Sequence, residues 1–126
     1  MILGIGTDIV AVARIEAAIQ RHGVAFAERI LSMQELAEYA AQPHPARFLA
    51  KRFAAKEACA KATGLGLRQP VTLQSMSVIH DELGKPAFAF DEALRGYLQQ
   101  RGVERHHLSI SDERETVVAF VVLEGR

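Results

Sequence analysis

The sequence predicts an α+β fold, a single compact domain in which a mainly antiparallel sheet packs against one long central helix. Three observations carry that reading. Ala46 to Thr63 is dense in alanine, lysine and arginine, all good helix formers, and is closed by Gly64 and Gly66. Val117 to Leu123 is continuously apolar, as a strand buried on both faces must be. The expected order β-α-α-α-β-β-α-β-β lacks the regular alternation of a doubly wound sheet. A chain of 126 residues with 49% hydrophobic content sustains one core, so residues 1–126 are expected to form one domain.

Ile2 to Val10 reads as the first strand, from the apolar and β-branched residues Ile2, Leu3, Ile5, Ile9 and Val10, interrupted by two glycines. Val12 to Gln20 follows as a helix with Val12, Ile15 and Ile19 at helical spacing and Gly23 beyond its end. Phe26 to Leu31 and Met33 to Ala41 read as short helices, with Ser32 as N-cap of the second and Glu35 in its first turn. Gln42 to Pro45 is the one linker-like stretch. Leu73 to His80 and Pro86 to Phe90 are expected to pair as a hairpin across the turn residues Asp81 to Gly84. Asp91 caps a helix to about Gln100, stopped by Gly102, and His107 to Ser111 alternates as a half-exposed strand.

Charge and composition exclude several classes. The formal net charge is zero, so avid nucleic-acid binding is not expected, and no apolar run approaches the roughly 20 residues of a membrane helix. The N-terminal stretch has no basic segment before its apolar run and meets Asp8 early, unlike a secretory signal. The lone cysteine, Cys59, sits inside the helical pattern as a small buried residue, and a cytoplasmic protein is expected. Charge is unevenly placed. Arg47, Lys51, Arg52, Lys56, Lys61 and Arg68 crowd one stretch against Glu57 alone, a distribution suited to an anionic ligand.

Within the long helix, Phe53, Glu57 and Lys61 are four residues apart and form one stripe. A solvated Glu–Lys pair accounts for that spacing equally well. Asp8 ends an apolar strand, where a carboxylate can face a cleft or cap the next helix. If Asp8 and Glu57 converge, they supply two oxygen ligands suited to Mg²⁺, with Lys61 one turn away to offset phosphate charge. Gly64 and Gly66 do not form a P-loop, and Gly84-Lys85-Pro86 is explained by turn chemistry or by a lysine meeting phosphate. Arg14 and Arg21, seven apart, share the face of the first helix opposite its apolar stripe. His106 and His107 face opposite sides of a strand with no second His/Cys cluster, and no GxSxG elbow surrounds Ser109 or Ser111.

Taken together, Gly4-Ile5-Gly6-Thr7-Asp8, the block Arg52-Phe53-Ala54-Ala55-Lys56-Glu57-Ala58 with Lys61, and Gly84-Lys85-Pro86 resemble the holo-acyl-carrier-protein synthase family of 4'-phosphopantetheinyl transferases. The resemblance runs from Met1 to the last strand. It implies a homotrimer with coenzyme A between neighbouring subunits and Mg²⁺ held by Asp8 and Glu57. It further implies that Arg52, Lys61, Gly64, Gly66, Gly84, Lys85 and Pro86 surround coenzyme A, and that Arg14 and Arg21 meet the acidic helix of an apo acyl carrier protein. One departure stands out: Asp112 occupies a position where some members carry histidine, so no histidine base is carried over, and Glu57 and Lys61 are the expected catalytic residues. The competing class is a passive anion-binding module. Such a module has no use for two carboxylates in its cleft.

Overall fold

The computed structural model describes residues 1–126. The chain runs β1 (Ile2–Ala11), α1 (Val12–His22), α2 (Val24–Ile30), α3 (Met33–Tyr39), α4 (Pro45–Thr63), a 3₁₀ turn at Leu73–Ser75, β2 (Met76–His80), β3 (Pro86–Phe90), α5 (Glu92–Gln100), β4 (Val103–Asp112) and β5 (Thr116–Gly125). Strands pair antiparallel throughout, in a three-stranded sheet of order β1-β5-β4 and a separate β2-β3 hairpin.

The apolar β5 is the central strand of the larger sheet, with Val117, Ala119, Val121 and Leu123 buried beneath α4. Helix α4 lies unusually close to β1, and small residues on both sides make this possible. A Cβ placed on Gly4 would fall on the carbonyl oxygen of Ala62, and one on Gly6 on the carbonyl of Ala58. The glycines that break the apolar run of β1 are therefore a seat for the helix. Ala50, Ala54, Ala55, Ala58 and Ala62 are buried on the helix side. Only Lys61 is exposed in the last three turns, and Phe53 and Glu57 are partly buried. Gly64 ends the helix with φ +81, a left-handed cap that favours glycine.

Several sequence expectations shift. Leu73–Ser75 is a 3₁₀ turn instead of the start of a strand, because the Thr72 and Ser75 side chains each accept from the other's backbone N–H. Helix α1 runs on to His22, the second short helix ends at Tyr39, and β4 begins at Val103 with an irregular register before Arg105. Ser32 and Asp91 cap as expected, Ser32 in a reciprocal capping box with Glu35. Asp8 caps nothing: the N-cap of α1 is Ala11, with no side-chain hydrogen bond, and Asp8 lies inside β1, paired with Ala119.

The opposite face of the larger sheet is bare. Ile5, Ile9 and Phe120 are 62%, 67% and 49% exposed, on a face where Ile5 registers with Val122, Thr7 with Phe120 and Ile9 with Val118. A strand that reads apolar on both faces is covered on one side only by its own chain.

Candidate active site

The close seat of α4 on β1 sets Asp8 beside the last turns of the helix. Lys61 Nζ lies 3.2 Å from Asp8 Oδ1 and donates to the Thr7 carbonyl at 2.9 Å. The Glu57 carboxyl is pushed up from its ordinary range, first by burial and then by the Asp8 charge, with Lys61 and Arg14 pulling the other way. Two carboxylates, an ammonium and a guanidinium from β1, α4 and α1 thus act on one another where α4 meets β1. The cap reading of Asp8 and the purely solvated reading of the Glu57–Lys61 pair both give way to that convergence.

The donor set suits a hard divalent cation. No group of three or more His, Cys, Asp or Glu side chains converges anywhere in the chain, so there is no closed protein cage. Mg²⁺ does not need one, since it is commonly held by one or two carboxylates with water and phosphate completing the shell. Asp8 and Glu57 repel each other, and Lys61 bonds only one oxygen of the pair. A cation between them would relieve that repulsion, so the residues present fit the metal.

The basic stretch is largely spent on structure, which corrects the expectation that it serves an anion as a whole. Lys56 is fully buried and donates to Glu35 Oε1 at 2.6 Å, Ile30 O at 2.7 Å and Leu73 O at 2.9 Å. Arg52 is buried too, its Nε 3.4 Å from Glu35 Oε2, its NH2 3.5 Å from Glu38 and its guanidinium 4.2 Å over the Phe48 ring. Burial lowers both groups from their usual values against the pull of Glu35. Arg52 Nε has no hydrogen-bond partner, and one edge of the residue borders a shallow cleft shared with His44, Lys51 and His80. Arg47 and Lys51 pair with Asp112 at 2.9 and 3.4 Å, and Arg47 also donates to the carbonyls of Glu113 and Arg114. Asp112 is therefore a clasp between α4 and the β4–β5 turn.

The glycine positions are loops of defined shape. Gly66 has φ +69 and donates its N–H to Ala60 O, wrapping the chain back over the end of α4. Gly84 has φ +87, and Asp81 Oδ1 accepts from the N–H groups of Leu83 and Lys85, which leaves Lys85 exposed at the hairpin tip. These backbone hydrogen bonds hold the Asp81 carboxyl below its ordinary value, that from Lys85 foremost. Arg14 and Arg21 border a groove of about 480 Å³ between α1, α2 and α4, whose walls include Phe26, Arg29 and Phe53. Its one contribution from α4 is Phe53, a turn before Glu57 on the same stripe.

Sequence reading missed Glu35, which it placed only in a first helical turn. Glu35 is 0% exposed and takes Lys56, the N–H of Ser32 and the N–H of Val78, tying α3, α4 and β2 together. The Ser32-x-x-Glu35 spacing signalled the cap, but nothing local signalled a partner 21 residues away.

The architecture is a small α+β domain that brings a carboxylate pair and an adjacent lysine together where α4 sits on β1. Residues 4–121 match the family described as the 4'-phosphopantetheinyl transferase superfamily. A holo-(acyl-carrier-protein) synthase of Laribacter hongkongensis is 59% identical over 99% of this chain and 100% of its own length. The crystal structure of the Neisseria meningitidis holo-(acyl-carrier-protein) synthase superposes with a TM-score of 0.96 at 51% identity, covering 98% of this chain and 99% of that one. A Bacillus anthracis holo-(acyl-carrier-protein) synthase, solved in complex with CoA (3',5'-ADP), gives 0.84 at 37% identity, covering 100% and 99%. The chain belongs to the 4'-phosphopantetheinyl transferase superfamily.

Proposed function

We propose that this chain transfers the 4'-phosphopantetheine arm of coenzyme A to a serine of an apo acyl carrier protein, in support of fatty acid biosynthesis. The observation that carries the reading is the convergence of Asp8, Glu57 and Lys61 where α4 sits on the β1 glycines. The full-length likeness to synthases of that name, one of them solved with CoA (3',5'-ADP), supplies the substrate class.

The serine Oγ forms a bond to the β-phosphorus of coenzyme A as the bond from that phosphorus to the bridging oxygen breaks, releasing adenosine 3',5'-bisphosphate. Glu57, with a carboxyl already shifted upward, takes the serine proton directly or through a water. Lys61, one turn on, offsets the charge gathering on the departing phosphate. Asp8 holds Lys61 and, with Glu57, forms the Mg²⁺ site; the ion, when bound, supplies positive charge to the pyrophosphate oxygens. Lys61, the Gly64 to Gly66 wrap and the Gly84-Lys85-Pro86 tip surround coenzyme A, and Arg52 contributes through its cleft edge only, since its fork is engaged by Glu35 and Glu38. Arg14 and Arg21, at the rim of a groove with an apolar floor, receive the acidic helix of the carrier.

The same reading includes a cytoplasmic homotrimer, with all of residues 1–126 as one transferase unit. Support comes from the bare sheet face, where burying what remains exposed of each of Ile5, Ile9 and Phe120 would stabilise an assembly by about 0.7–2 kcal/mol. No helix of the chain is long and apolar enough to cross a membrane. Light scattering tests the assembly, with three times 13.8 kDa expected.

The test of the activity is intact-mass analysis of an apo carrier protein incubated with this protein, coenzyme A and Mg²⁺. A gain of one phosphopantetheine mass is expected; an unmodified carrier together with retained coenzyme binding returns the chain to the passive anion-binding class. Arg14→Glu is expected to raise KM for the carrier by roughly tenfold at low salt, about 1.4 kcal/mol, with coenzyme affinity unchanged by calorimetry. An unchanged KM at low salt removes α1 from the docking surface.

A further inference from the structure

The β2–β3 hairpin and the three-stranded sheet are separate sheets, yet β3 lies against β4. Phe88, the middle residue of β3, is buried, and its N–H finds its partner in the Nε2 of His106 on β4, at 2.9 Å. The imidazole is packed beside the stacked Phe88 and Phe90 rings, with centroids 5.6 and 5.2 Å away. An Nε2 that accepts must be unprotonated, so the ring is neutral with its hydrogen on Nδ1. We propose that His106 is a positioning residue for the coenzyme loop: its neutral imidazole latches the hairpin carrying Gly84-Lys85-Pro86 to the main sheet, and protonation releases that latch.

The chemistry is that of one hydrogen bond with no substitute. A protonated ring presents a second donor to the Phe88 N–H, which is then left buried without an acceptor. The groups facing the ring do not offset this. Phe88 and Phe90 on β3 and Leu123, its neighbour on β5, are uncharged. Across the groove, α5 contributes Arg95, which donates to Phe90 O, and β4 contributes Glu104 and the flanking Arg105 and His107, both of these held by Glu124. Burial first, then His107, lowers the His106 ring from its ordinary value of 6.5. The sign follows. A histidine whose folded value is depressed contributes stability in full above its ordinary value, and loses it as the pH falls from there through the lowered one.

The proposal rests on the reading that residues 84 to 86 meet coenzyme A, and the test separates the two. The latch itself is read without substrate, by the scalar coupling between the Phe88 amide nitrogen and His106 Nε2 in the ¹⁵N-labelled protein. That coupling is expected near neutral pH and is expected to vanish on acidification, together with exchange protection of the Phe88 amide. Its absence near neutral pH overturns the latch. For the loop, KM for coenzyme A is followed against pH in the wild type, His106→Gln and His106→Leu. The wild-type KM is expected to climb roughly threefold to tenfold on acidification, on the scale of one buried amide losing its acceptor. His106→Gln, which keeps an acceptor and cannot titrate, should stay low and flat; His106→Leu should be raised at every pH, with kcat at saturating coenzyme unchanged. A coupling that behaves as expected beside a KM indifferent to all three sequences retains the latch and removes residues 84 to 86 from the coenzyme site. A fall in kcat and thermal stability of His106→Leu without a KM change that His106→Gln rescues makes His106 merely structural and overturns its positioning role.

Discussion

Two charge clusters share helix α4, centred on consecutive residues that point to different faces, and they end differently. Around Lys56, every polar atom of the ammonium is used: Glu35, Ile30 and Leu73 take it, and water is excluded. Around Glu57, the neighbouring residue, Asp8 and Lys61 pair at a looser 3.2 Å, and burial first and then the like charge of Asp8 raise the carboxyl. The same residue types thus serve support at one face and chemistry at the other. What separates them is saturation of the ammonium: Lys56, with three buried acceptors on its nitrogen, holds a fold even though the neighbouring Arg52 Nε lacks a partner, whereas a carboxylate pair with spare lone pairs and mutual repulsion has capacity for a ligand.

The comparison is broken most severely at Glu35. Glu35→Gln leaves the Lys56 ammonium buried without its counter-charge, a change that costs about 3–5 kcal/mol when one partner of a buried pair is removed. At this chain length that corresponds to a fall in Tm of roughly 10–20 °C, measured by thermal melting. A fall of only a few degrees would mean that Lys56 reaches water, and the saturated cluster would lose its claim to hold the fold.

Asp8→Asn sharpens the comparison from the other side. The substitution keeps shape, removes a ligand charge and weakens the hold on Lys61, so transfer is expected to drop by roughly a hundredfold, or about 2.7 kcal/mol in the barrier, with Tm within a few degrees of wild type. It also removes one of the two causes that raise Glu57, so the carboxyl should titrate at lower pH, visible by carboxyl NMR. Full transfer at low Mg²⁺ would strip Asp8 of its site role.

How much of this was legible in the sequence follows the range of the interactions involved. Periodicity and caps placed every helix, and the unbroken apolar run of Val117 to Leu123 placed β5 at the centre, because those signals are written within a few residues. The motif residues Asp8, Glu57 and Lys61 were legible as a group only through the resemblance of the whole pattern to a known family, since each alone had an ordinary explanation. Glu35 and Asp112 were not, since their meaning lies in partners 21 and 65 residues away that only the fold brings near. Gly4 and Gly6 were visible as interruptions of a strand, yet their purpose is the carbonyls of Ala58 and Ala62, again on another element. Burial also reversed one expectation: a stretch read as an anion-binding surface is largely consumed by the protein's own acids.

The smallest expected effect discriminates most finely, and it concerns the stability of Glu57→Gln. In the folded protein the Glu57 carboxyl is raised above its ordinary value of 4.5, so the native state holds its proton more tightly than the unfolded chain. Stability from this group is therefore greatest below the ordinary value and declines as the pH rises through the raised one, opposite to a carboxylate engaged in a salt bridge. Glutamine cannot ionise, so it escapes the decline. Because Glu57 is only partly buried, solvent screening holds the gain to about 0.5 kcal/mol or less. Thermal melts from about pH 4 to about pH 8 should then show wild type and Glu57→Gln together at the acid end, the variant level or slightly higher at the neutral end, and transfer abolished. A variant destabilised at neutral pH by more than about 1 kcal/mol would place Glu57 among residues whose charge the fold requires, and the division of α4 into a saturated face and a working face would fail at its central residue.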